Sequence, residues 1–154
     1  MDSSWLSRIS SAIFLYNNGK ITMILYYPKM GEILICNYNG FKEPEMVKIR
    51  PVVVISPKHR SGSRLCTVVP LSTTTPIPQK DYHYLLKLER KLPKPFDSST
   101  CWVKADMINT VSLDRLDLIR CGKIQGKRNY FRAKVTKDQL QEIQQSIKNA
   151  LGIK

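Results

Sequence analysis

Two stretches decide the fold class: Arg50-Pro51-Val52-Val53-Val54-Ile55-Ser56 and, after a basic loop, Leu65-Cys66-Thr67-Val68-Val69-Pro70. Each holds a β-branched run too short for an ordinary helix and too continuously apolar for a strand with one wet face. Both therefore read as fully buried strands. The joining loop, Pro57-Lys58-His59-Arg60-Ser61-Gly62-Ser63-Arg64, has turn composition, so the two runs are expected to pair as a hairpin. Working outward, Glu32 to Tyr38 (EILICNY) reads as another strand, with further strands around Tyr82 to Leu88 and at Trp102-Val103. Only the end of the chain has helical spacing. Leu140, Ile143, Ile147 and Ala150/Leu151 recur at intervals of three and four, Thr136 with Gln139 has the form of a capping box, and Gly152 suits a stop. The pattern predicts an α+β, mainly β domain whose sheet curls into a small barrel, with one C-terminal helix.

The 154 residues carry 25 Lys+Arg against 12 Asp+Glu, a formal charge of +13, and 42% of them are hydrophobic. That is enough apolar material for one packed core and too little chain for a multidomain enzyme. The positive excess attracts polyanions, nucleic acid first. Residues 1–27 read as an N-terminal extension, with Met23 a second possible start, and residues 28–154 as the folded domain. The extension has no basic leader and no apolar run of spanning length, so no membrane association and a cytoplasmic location are expected. Cys36, Cys66, Cys101 and Cys121 stand far apart without metal-ligand spacing and read as reduced, buried small hydrophobes, with no metal or other cofactor signalled.

Candidate chemistry gathers at the strand ends. Pro51 confines Arg50 to extended backbone, which gives its side chain a defined origin where loop meets strand. A guanidinium there can hold two phosphate oxygens, or it can pair with Glu45 on the surface. Ser72, Thr73, Thr74 and Thr75 follow the partner strand, where hydroxyls can bind phosphate or close a turn. Lys104 and Asp106 would share a face if their segment stays extended, as a base beside a cation or as a surface ion pair. From Arg115 to Lys137 run eight basic residues with Tyr130 and Phe131 among them, suited to a single-stranded nucleic acid or to a solvated face.

Taken in order, Gly31-Glu32-Ile33-Leu34, E-x4-R-P-V-V-V-I-S at Glu45 to Ser56, V-V-P-L-S-T at Val68 to Thr73 and K-A-D at Lys104 to Asp106 resemble the MazF/PemK toxins of bacterial toxin-antitoxin systems. The resemblance implies an SH3-like, PemK/CcdB-type β-barrel, usually a homodimer, that cleaves single-stranded RNA without a metal through attack by the ribose 2′-hydroxyl, and that an acidic antitoxin neutralises. By position, the family arginine falls on Arg50, its glutamate on Glu45, its hydroxyl residue on Ser72 with Thr73 following, and an Arg-x-Asp pair on Lys104 and Asp106. Lys104 in place of arginine gives up two-pronged phosphate geometry. Lys48, Lys58, Arg60, Arg64 and Lys104 are the expected RNA contacts. The competing reading is a non-catalytic module that holds nucleic acid or a protein target on the same barrel.

Overall fold

The computed structural model describes residues 24–57 and 63–154. β1 (Glu32–Cys36), β2 (Arg50–Val54) and β3 (Leu65–Ser72) form an antiparallel meander, and the expected hairpin is present with Val52 opposite Pro70 and Val54 opposite Val68. β4 (His83–Lys87) and β5 (Thr100–Lys104) follow, then the short strands β6 (Asn109–Ser112), β7 (Leu116–Asp117), β8 (Ile119–Ile124), β9 (Lys127–Phe131) and β10 (Ala133–Lys134), and helix α1 (Lys137–Leu151). The main sheet runs β10-β1-β2-β3-β5-β4, with β6 added to β3 and β7 to β1, while β8 and β9 make a separate hairpin. The traced path ends at β10 and β4 and is not closed on itself. What the strands establish is a mainly β domain with one C-terminal helix.

Pairing on β3 is divided along its length. Its first half, Leu65 to Val68, pairs with β6, and its last two residues, Leu71 and Ser72, pair with β5. Between them lie Val69 and Pro70, opposite the 3-10 turn Ala105–Met107 that links the two neighbours. A proline, which lacks a ladder donor, is tolerated where a strand changes partner.

β2 and the second half of β3 are buried on both faces, which is why their sequences show no alternation. One core takes Ile33, Val53, Val69, Leu71, Leu86 and Val103 from one face and closes it with Ile143 of α1 and Phe131 of β9. The other takes Leu34, Cys36, Val52, Val54, Cys66 and Val68 from the opposite face, with Val111, Leu116, Tyr38 and Ile24. Ile24 lies in the segment read as an extension, yet it is buried there and its N–H donates to the Leu116 carbonyl at 3.0 Å. Residues 1–23 of that segment lie outside the described residues, as do Lys58 and Arg60.

The helix begins and ends as its sequence predicts. Thr136 accepts the Gln139 N–H at 3.1 Å, Gln139 returns a bond from its side chain to the Thr136 N–H at 2.9 Å, and Gly152 caps the other end at φ 69°. The β8–β9 hairpin was not foreseen. It turns through Gln125 and Gly126, both at positive φ (49° and 75°), which is the two-residue turn whose twist matches a hairpin and which glycine enters without strain. A register irregularity between Arg120 and Lys123 surrounds Gly122.

All four cysteines are free thiols, but only Cys36, Cys66 and Cys101 are buried; Cys121 is half-buried, which corrects the expectation for that residue. Burial pushes the Cys36 thiol up to about 12 and Cys101 to about 11. A thiol reagent at pH 8 is therefore expected to label one cysteine per native chain rapidly, Cys121, and all four after denaturation. Rapid labelling that survives Cys121→Ser would contradict this burial pattern.

Candidate active site

Arg50 and Ser72 end adjacent strands. The β2–β3 ladder runs from Val54 opposite Val68 to Val52 opposite Pro70 and ends there; counting on by two residues sets Arg50 across from Ser72, just past the last pair. Directly opposed residues in an antiparallel pair share a face, so the guanidinium and the hydroxyl leave the sheet on the same side. That side is the one which, at Cys66 and Val68, is covered by the second core. The row extends onto β5, where Ser72 faces Trp102, and onto β1, where Arg50 faces Cys36.

Arg50 forms no ion pair with Glu45. Its Nε is buried and has no hydrogen-bond partner among the described residues, an unusual state for a charged donor and one that a bound anion would relieve. Ser72 is buried, and its Oγ accepts the Thr74 N–H at 3.2 Å. The turn role of this hydroxyl cluster is thus real, but accepting one bond leaves the hydroxyl hydrogen free to donate. Thr73 is exposed just beyond the strand.

Glu45 and Asp106 come together at a cavity of about 450 Å³ that Tyr38, Met46, Met107 and Asn109 also line. The two carboxylates differ. Glu45 Oε2 accepts the Lys42 N–H at 2.7 Å, and the Glu45 N–H donates to the Lys42 carbonyl, so its carboxylate closes its own turn. Asp106 sits in the 3-10 turn and, among the described residues, its carboxylate accepts no hydrogen bond. Because β5 stops at Lys104, Lys104 and Asp106 do not share a strand face as an extended segment would have required.

Tyr38 and His83 carried no signal in the sequence. The Tyr38 hydroxyl is buried beside the cavity that the two acids line, with the Cys36 thiol as its polar neighbour. Desolvation and the neighbouring Cys36 thiol both hold its pKa well above the usual phenol range. His83 lies directly across from Lys104, and its Nδ1 accepts the Lys80 N–H at 2.9 Å. Partial burial first, then the charges of Lys104 and Lys80, lower its pKa against the pull of Asp106, so the neutral ring with its proton on Nε2 is favoured. The cross-strand register would have revealed it; periodicity could not.

Of the expected RNA contacts, Lys48 is exposed, and Arg64 is tied into an ion pair with Asp114. Arg115, the first cation of the basic window, is also committed. It donates to the carbonyls of Asn37 (3.0 Å) and Asn39 (2.7 Å) and lies over the Phe41 ring at 4.8 Å, pinning the loop that leads to Glu45. Among the described residues, no group of three or more His, Cys, Asp or Glu is gathered as metal ligands, and no helix is long and apolar enough to cross a membrane.

The fold is of the mainly β class with one C-terminal helix, and comparison with known proteins gives it a family. The chain belongs to the PemK-like, MazF-like toxins of type II toxin-antitoxin systems, whose family model matches residues 29–151. Among curated proteins it is 34% identical over 116 residues to Escherichia coli YifN, covering 63% of this chain and 76% of that protein. It is 35% identical over 101 residues to a Haemophilus influenzae protein, covering 58% and 68%. Among solved structures it matches a mycobacterial endoribonuclease held in complex with its cognate antitoxin, at TM-score 0.58 and 21% identity, over 83% of this chain and 98% of that one. MazF of Deinococcus radiodurans matches at TM-score 0.58 and 20% identity, over 82% and 98%. At those identities the structural likeness speaks for the fold.

Proposed function

We propose that this toxin is a metal-independent endoribonuclease of single-stranded RNA, acting in the cytoplasm as a homodimer with its sheet curled into the family's SH3-like barrel, and silenced by an acidic antitoxin. The observation that carries the reading is the placement of Arg50, whose buried Nε has no hydrogen-bond partner among the described residues, at the end of β2 next to the end of β3 that carries Ser72. The family match and the fold shared with an endoribonuclease–antitoxin complex support it.

In the reaction, a base takes the proton of a ribose 2′-hydroxyl, the 2′-oxygen bonds to the adjacent phosphorus, and the phosphorus–O5′ bond breaks. The products are a 2′,3′-cyclic phosphate and a 5′-hydroxyl, the latter reprotonated from solvent. Asp106 serves as the base, because its carboxylate is unengaged while that of Glu45 holds its own turn. Arg50 and the hydroxyls of Ser72 and Thr73 stabilise the charge that builds on the phosphoryl oxygens. The guanidinium pKa, above about 12, makes Arg50 an electrostatic partner and not a proton donor. Lys104 and Lys48 hold flanking phosphates, Lys58 and Arg60 add to them, and Arg64 joins by exchanging the Asp114 carboxylate for a phosphate.

The test is incubation of the purified chain with an unstructured RNA in excess EDTA. Fragments with cyclic-phosphate and 5′-hydroxyl ends are expected, and a stoichiometric acidic antitoxin should stop their formation. Binding without cleavage would favour the non-catalytic module; cleavage that requires added metal would reject the chemistry.

A further inference from the structure

A second cavity, of about 400 Å³, opens on the face of β1 and β2 away from Arg50. Ile35, Ile49, Phe96 and Ile119 give it apolar walls, and Lys94 and Arg120 also line it. Into this cavity comes Asp117, which faces Ile35 across β1 and β7 and is only 7% exposed. One carboxylate oxygen, Oδ1, accepts the Leu118 N–H at 2.8 Å; the other, Oδ2, is buried with no hydrogen-bond partner among the described residues.

Three demands fall on any occupant. It needs an apolar body for the walls, one N–H donor for Oδ2, and negative charge for the cationic part of the lining. An aliphatic side chain from a protein would leave Oδ2 unpaired, which is costly, and a lysine or arginine would satisfy Asp117 but bring a second cation beside Lys94. A nucleotide meets all three. Its base edge further selects: the exocyclic amine of adenine, cytosine or guanine stands clear at the edge, whereas the N3–H of uracil is flanked by two carbonyl oxygens that would face the carboxylate.

We propose that this cavity is a nucleotide subsite for a base bearing an exocyclic amino group, whose amine donates to Asp117 Oδ2 while its phosphate lies toward Lys94. The assignment rests on the reading of the protein as an RNA-binding toxin and adds a selectivity that Arg50 and Ser72 do not supply. Burial raises the Asp117 carboxyl above its ordinary range, against the opposing pull of the Leu118 N–H and of the Arg120 and Arg128 charges.

The experiment is calorimetric titration of the full chain with each of the 5′-monophosphates of adenosine, cytidine, guanosine and uridine, which contain no cleavable linkage. The three amino-bearing nucleotides are expected to bind roughly tenfold more tightly than the uridine nucleotide, the discrimination of one good base contact. Asp117→Asn, isosteric but no longer an obligate acceptor, should erase most of that difference. Ile49→Trp, at a residue 52% exposed and so tolerant of size, should weaken all four by filling the cavity. Equal affinity of the four for the unaltered chain would overturn the proposal. So would an unchanged preference in folded Asp117→Asn or, should that variant fail to fold, undiminished binding in Ile49→Trp. The two readings fail separately: selective nucleotide binding without RNA cleavage removes the nuclease and leaves the subsite, and cleavage without selective binding does the reverse.

Discussion

Alanine at position 50 is expected to slow cleavage of an unstructured RNA by about 10²–10³-fold, the usual cost of removing one preorganised donor from a developing oxyanion. The same change should leave the melting temperature unchanged or slightly higher. The guanidinium has a buried Nε with no partner, so deleting it removes an unmet desolvation cost instead of a stabilising bond. Arg50→Lys restores the charge without the planar fork and should recover only part of the rate. Loss of activity accompanied by a large fall in melting temperature would make Arg50 a structural residue and withdraw its assigned role. Full activity of the alanine variant would do so more directly.

Asp106→Asn should lower the rate by about 10²-fold or more, within the range that general-base catalysis supplies. Glu45→Gln should cost no more than about fivefold, since the amide oxygen can still accept the Lys42 N–H and only about one neutral hydrogen bond's worth of loop order is at stake. Measuring kcat and KM for both variants on one RNA separates the roles. A reversed order of effects would move the proton to Glu45 and leave Asp106 as a neighbour of His83 and Lys104.

The parts of the fold that were legible are those whose sequence reports burial without ambiguity. β2 and β3 announce themselves through consecutive β-branched residues, and α1 through its periodicity and the reciprocal cap of Thr136 and Gln139. The strands after β5 were not legible, because two to six residues give too short a sample of alternation. β8 in particular buries little beyond Ile119, and its turn is Gln-Gly in place of the Asn-Gly that usually marks a hairpin. Arg50 and Ser72 were readable as candidates since they terminate readable strands. Asp106 was placed on a strand that in fact ends two residues earlier, and Tyr38, His83 and Asp117 gained meaning only once loops and pairing set what lies beside them.

β1 obtains its outer neighbours, β7 and β10, from residues 116–117 and 133–134, and β3 obtains β5 and β6 from residues 100–104 and 109–112. A chain still being translated therefore cannot complete its sheet until most of its length has left the ribosome. The residues proposed as the site therefore stand on a finished sheet only in a nearly full-length chain, which ties any activity they have to the end of synthesis.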